Sequence, residues 1–175
     1  SPAAVAQATE LSNNQIDTNV ALADARRAGV QRASALTQQH QVAADNEAAA
    51  LSLARTVAAE RAAREQARQG ILSRAQSDPR AVGRLLVLDH GWATEQFGCL
   101  DRLWTKESGG RWNAANVSSG AYGIPQSLPG SKMASIGSDW STNPVTQITW
   151  GLEYISNSYG SPCSAWSHSQ ASNWY

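Results

Sequence analysis

Aromatic residues are missing from the first half of the chain: all seven Trp, all four Tyr and the single Phe lie from Trp92 onward. Proline is missing between Pro2 and Pro79. No stretch approaches eighteen consecutive apolar residues, which excludes a transmembrane helix and argues against membrane insertion. Excess charge is also missing, since fourteen Lys+Arg face fourteen Asp+Glu. That argues against a strongly basic nucleic-acid binder and against a polybasic membrane-surface protein. There are two cysteines, Cys99 and Cys163, with no CxxC, no Cys/His set at metal spacing and no phosphate-binding loop. The three histidines, His40, His90 and His168, are scattered. No metal or organic cofactor is implied. The cysteine pair is either one disulfide or two buried thiols. The opening Ser1-Pro2-Ala3-Ala4, without Met, fits removal of a signal peptide and equally fits trimming.

What is present divides in two. Twenty-three of thirty Ala lie in residues 1–84, and ten of thirteen Gly follow Val87. The composition changes near Ser77–Arg84. We therefore expect an Ala-rich helical arm or stalk over 1–76 and a compact, mainly α domain over 77–175.

The first segment is built from Ala, Gln, Arg, Glu and Leu, all strong helix formers. Glu47, Leu51, Ala54, Ala58, Ala62 and Glu65 follow three-four spacing and define a face that is mostly Ala. Glu60 with Arg64 and Glu65 with Gln69 are neighbours on such a surface. A helix of this length spans roughly 100 Å. Gly29 and Gly70 are expected as bends or ends. With no sustained Leu/Ile heptad, a solvated stalk is favoured over an Ala-lined coiled coil or helical hairpin. Self-association through the arm stays open.

The second segment is punctuated. Asp78-Pro79 is a cap-plus-Pro helix start, followed by Val82, Leu85, Leu86 and Leu88 as the expected apolar side, with Gly91 as the stop. A helix from about Glu95 to Glu107 buries Leu100, Leu103 and Trp104, and Gly109-Gly110 ends it. Asn113 to Gln126 reads as turns and short extended pieces. Leu128-Pro129-Gly130 is followed by a short expected helix to Ser135. Asn143-Pro144 starts a helix carrying Val145, Ile148, Leu152 and Ile155 and ending at Gly160. Pro162 opens a last short helix with Cys163 and Trp166.

Glu107 carries the chemistry. It stands at the end of an apolar helix with Trp104 one turn behind it. A carboxyl against aromatic surface has its pKa raised by desolvation and can donate a proton near neutrality. Glycosidic cleavage needs such an acid at the leaving oxygen. The bland alternative is a surface Glu paired with Lys106. Of the other carboxylates considered, Asp101, Asp139 and Glu153, none is placed by the sequence as a partner.

Glu107-Ser108 is followed by Gly120-Ala121-Tyr122-Gly123-Ile124-Pro125-Gln126, by Gln147-Ile148-Thr149-Trp150-Gly151-Leu152-Glu153-Tyr154, and by Ala165-Trp166-Ser167-His168. In that order these motifs resemble the lytic transglycosylases of the goose-type lysozyme fold. The paired Cys and the stretch Gly123 to Met133 look most like the secreted actinobacterial branch, which is similar to resuscitation-promoting factors. The resemblance covers about Asp78 to Tyr175. Departures are present: the Glu107–Gly120 stretch is one residue longer, so Ser118 or Ser119 takes the family's Ser position. Ile124-Pro125 replaces Leu-Met, Trp166 replaces Tyr, and Ser167 replaces Asn.

The resemblance implies a secreted, cell-wall-associated enzyme acting on peptidoglycan glycan strands, with Glu107 as a single acid and base. The glycan's own 6-hydroxyl would be the nucleophile and the product a 1,6-anhydro sugar. It implies substrate contacts from Ser118, Tyr122, Gln126 and Tyr154, with stacking by Trp166. It also favours a Cys99–Cys163 disulfide tying the acid-bearing helix to the last one. The competing readings are a hydrolytic muramidase and an inactive wall-binding or scaffold protein.

Overall fold

A computed structural model describes residues 2–175. The described chain is mainly α-helical and contains no strand. It divides into two compact units, 1–62 and 63–175.

Helix α1 (Pro2–Ser77) supplies all of the described first unit, and every residue there is exposed. Nothing apolar is buried in that unit, so helix propensity and local bonds hold it. Thr9, Thr18, Thr37 and Thr56 return their hydroxyls to the carbonyls four residues earlier. In the second unit, Glu65 accepts from Arg68 at 3.0 Å and from Gln69 at 2.8 Å. The helix continues through Gly29 and Gly70, contrary to the expected bends or ends, and so forms no hairpin. A single glycine in a long helix costs only about 1 kcal/mol and does not break it when its neighbours are strong formers.

Four more helices build the second unit: α2 (Pro79–Asp89), α3 (Glu95–Ser108), α4 (Pro144–Tyr159) and α5 (Pro162–Ser172). Three begin by one device, a capping side chain followed by Pro. Asp78 accepts from Ala81 N–H at 3.0 Å, Asn143 from Val145 N–H at 2.9 Å, and Ser161 from Ser164 N–H at 3.3 Å. A short 3-10 helix spans Gly130–Ser135.

The core joins Val87 of α2, Leu100, Leu103 and Trp104 of α3, Ile148, Leu152 and Ile155 of α4, Ala165 of α5 and Ile124 of the long loop. On α2 the expected apolar side is only partly buried. Leu85 and Leu88 are exposed, while Gly83 and Val87 face inward. An eleven-residue helix covering one edge of a small core has room for only a narrow inward stripe. Trp104 and Gly151 set the approach of α3 to α4: a Cβ on Gly151 would lie 2.7 Å from the Trp104 ring. Cys99 of α3 and Cys163 of α5 form a disulfide, with Cα atoms 4.9 Å apart.

Candidate active site

The site is organised by the last turn of α3 and the loop that follows. Gly109 caps α3 in the left-handed conformation (φ 67°) and sends its N–H to Thr105. Ser108, the buried neighbour of Glu107, donates to the Ile124 carbonyl at 2.8 Å and accepts the Gly110 N–H at 3.1 Å. That hydroxyl fastens the end of α3 to the Ile124 segment of the loop.

The loop is pinned from beneath by Gln147. Its fully buried carboxamide accepts Ile124 N–H at 3.0 Å and donates to the carbonyls of Trp112 and Trp140, both at 2.9 Å. Three separate segments thus share one side chain, the arrangement that satisfies a buried amide. Gly123 passes directly over it: an added Cβ would sit 2.6 Å from the Gln147 oxygen. Isolated bridges Ala115–Tyr122 and Tyr122–Ser127 are the only extended pairing in the described loop.

Above this floor lies an open cleft of about 490 Å³ lined by Glu107, Ser118 and Gln126 together with Arg111, Ala114 and Asn116. Glu107 is half-buried, and burial raises its pKa above the ordinary carboxylate value; neighbouring Lys106 opposes this more weakly. The Lys106 ammonium turns away, to the backbone and hydroxyl oxygens of Ser169 at 2.9 and 3.0 Å. Gln126 holds a left-handed backbone (φ 52°), rare for a residue with a side chain. Its amide nitrogen donates to Ala114 and Gly123 carbonyls at 3.1 and 2.9 Å. Its carbonyl oxygen remains open as an acceptor. Ser118 donates to Asn116 at 2.7 Å. Ser119 is turned to Ala121 instead, accepting its N–H at 3.2 Å. Ser118, not Ser119, therefore stands on the cleft wall.

The remaining sequence candidates lie elsewhere. Tyr122 donates to the Ser141 carbonyl at 2.7 Å and meets Trp140 edge-on at 5.5 Å. Tyr154 stacks on Trp150 at 5.4 Å and touches Tyr159 and Tyr175. Trp166 packs partly buried against the core. None of the three is among the residues lining the Glu107 cleft.

No second carboxylate joins Glu107 in that lining. Asp101 pairs with Arg80 at 2.7 Å. Asp139 accepts from Asn143 and Thr146 at 2.9 and 2.8 Å, which lowers its pKa, Asn143 first. Glu153 is exposed on α4. Among the described residues no group of three His, Cys, Asp or Glu is placed to share a metal ion. No described helix is long and apolar enough to cross a membrane.

Two residues that the sequence reading passed over belong to this region. Arg111 lines the cleft and donates its Nε to the Ser108 carbonyl at 3.1 Å. Tyr175 accepts from the Trp104 indole at 2.9 Å and donates to the Pro125 carbonyl at 2.8 Å. Burial holds its phenol well above the ordinary range, and the Glu107 charge raises it further. Neither carries a local signal. Arg111 follows a helix end, where periodicity stops, and Tyr175 reaches the site only through folding. Comparison with protein-family models, with curated proteins and with solved structures finds no match for this chain.

Proposed function

We propose that this chain is a peptidoglycan lytic transglycosylase, with a goose-type-lysozyme-like domain in residues 77–175. The observation that carries the reading is Glu107: one desolvated carboxyl, alone of its kind in the cleft lining, at the end of a buried helix. Its raised pKa suits a general acid at neutral pH. Glu107 protonates the oxygen bridging N-acetylmuramic acid and N-acetylglucosamine, and that bond to the anomeric carbon breaks. The muramic 6-hydroxyl attacks the same carbon, and the Glu107 carboxylate takes the hydroxyl proton. The acid is regenerated and the product is a 1,6-anhydro ring. An intramolecular nucleophile has a high effective concentration, so no second carboxylate is required. Hydrolytic glycosidases, by contrast, set two carboxyls about 5–9.5 Å apart across the bond. The side-chain carbonyl of Gln126 and the hydroxyl of Ser118 are two of the cleft's groups able to hydrogen-bond the sugar.

The disulfide favours an oxidising compartment, which supports a secreted, wall-associated enzyme. Residues 1–76 serve as a helical stalk, a role supported by the exposure of every described residue through Ala62.

The test is digestion of purified peptidoglycan followed by mass spectrometry of the released muropeptides. Anhydro products, about 18 mass units lighter than hydrolysed ones, are expected, and Glu107→Gln is expected to lower their release by about 10²–10⁴-fold. Reducing-end products would make the enzyme a muramidase. Absence of products from oxidised, folded protein would leave a wall-binding or scaffold role.

A further inference from the structure

Arg111 is the unusual charge of the cleft. Gly109 and Gly110 both adopt left-handed backbone (φ 67° and 71°), so the chain leaves α3 and doubles back. Arg111 then sends its Nε to the Ser108 carbonyl at 3.1 Å. This anchors the guanidinium at the carbonyl end of α3, where a cation is favoured. Its terminal nitrogens have no acceptor among the described residues. The other cation of this segment, Lys106, is held by Ser169, and Arg80, facing the same helix, is held by Asp101. Glu107 lines the same cleft as Arg111, yet the two form no ion pair. Arg111 is the one cation of the cleft lining, and no ion pair among the described residues engages it.

A planar guanidinium fixed at one nitrogen presents a flat edge of N–H donors, which matches a carboxylate in two-pronged fashion. A hydroxyl can take one such bond but cannot neutralise the charge. We infer that Arg111 is a specificity-determining residue that binds a carboxylate of the peptidoglycan strand, on its sugar or its peptide stem, while Glu107 engages the glycosidic oxygen. This rests on the transglycosylase reading. Two carboxylates of peptidoglycan share the chemistry: the lactyl group of muramic acid, free once the peptide is removed, and those of the peptide stem.

The experiment compares wild type with Arg111→Gln and Arg111→Lys on peptide-stripped strands, intact strands, the same strands after carbodiimide amidation, and neutral chitooligosaccharides. Because Arg111 is exposed, Arg111→Gln should lower kcat/KM about 2–5-fold on carboxylate-bearing strands, mainly through KM. Added salt should shrink the effect, and amidation should abolish it. Lys should restore part, lacking the planar fork. A loss on stripped strands assigns the lactyl carboxylate, and a loss confined to intact strands assigns the stem. Equal kinetics for wild type and Arg111→Gln on all strands, or an equal loss on amidated ones, overturns the inference. Should wild type cleave none of them, the transglycosylase reading fails by itself. Equilibrium binding then decides Arg111: tighter binding of carboxylate-bearing than amidated strands, lost in Arg111→Gln, upholds carboxylate recognition, and no difference refutes it.

Discussion

Trp104 donates its indole N–H to the hydroxyl of Tyr175 at 2.9 Å, and that hydroxyl in turn donates to the Pro125 carbonyl at 2.8 Å. Trp104 stands one turn before Glu107, and Pro125 directly precedes Gln126. A single phenol therefore ties α3 to the loop segment that carries Gln126. Tyr175→Phe keeps the ring and leaves both partners without a bond. Unfolding should become easier by about 1–3 kcal/mol, the usual result of orphaning buried polar groups. In calorimetry the transition should move down by several degrees, and an unchanged Tm would refute the tie.

The Cys99–Cys163 disulfide spans a sequence separation of 64. A loop of that size is worth about 4 kcal/mol in the chain-entropy account. The double substitution Cys99→Ser, Cys163→Ser should lower the urea midpoint of the second unit sharply. The α1 helical signal over residues 2–62 should change little, since no cysteine lies there. A midpoint indifferent to the substitution and to reductant would show that the bridge stabilises nothing.

The Glu107 proton is held more tightly in the folded chain than in the unfolded one, because burial raises the carboxyl above its ordinary value of 4.5. The stability this contributes is present below pH 4.5 and is lost as pH rises through the folded value. Glu107→Gln carries no charge to desolvate. At pH 7 it should therefore be more stable than wild type, by about 0.5 kcal/mol or less since the group is half exposed. The gap should close below pH 4.5, as read from melting curves across pH. Wild-type glycan cleavage should fall along a basic limb placed above the ordinary carboxylate range.

Two glycines should respond in opposite ways to alanine. Gly29 lies inside α1 with nothing within 4 Å of an added Cβ. Gly29→Ala should raise the thermal midpoint of the helical circular-dichroism signal, gaining about 0.5–1 kcal/mol. Gly123 has φ +79°, and its Cβ would strike the Gln147 amide at 2.6 Å. Gly123→Ala should cost about 2 kcal/mol or more and lower activity by displacing the loop. Shifts of the same sign would contradict these placements.

Much of the helical framework was legible because the signals were local. Asp78-Pro79, Asn143-Pro144 and Ser161-Pro162 start helices through one side-chain bond each, and Gly109 ends α3 within the same turn. The inward stripe of α3 could also be read, since Leu100, Leu103 and Trp104 share a helical period. The inward side of α2 could not. Which of its apolar residues face the core depends on how α3 and α4 approach it, and that geometry has no periodic trace. Gln147 illustrates the same limit. Its motif position was visible, but its three bonds to Ile124, Trp112 and Trp140 were not.

By itself the sequence determined where the Pro-capped helices of the second unit begin, that residues 1–76 favour helix, and that Glu107 closes an apolar helix. These follow from propensity, capping and spacing within a few residues. Only the tertiary structure decided that Ser118 rather than Ser119 meets the cleft, that Arg111 lines the same cleft as Glu107, and that Tyr175 bridges Trp104 and Pro125. The same holds for Asp101 and Asp139, each held by a partner of its own and neither lining the Glu107 cleft. Such pairings are chosen by packing across dozens of residues, where burial and mutual hydrogen-bond satisfaction outweigh any local preference.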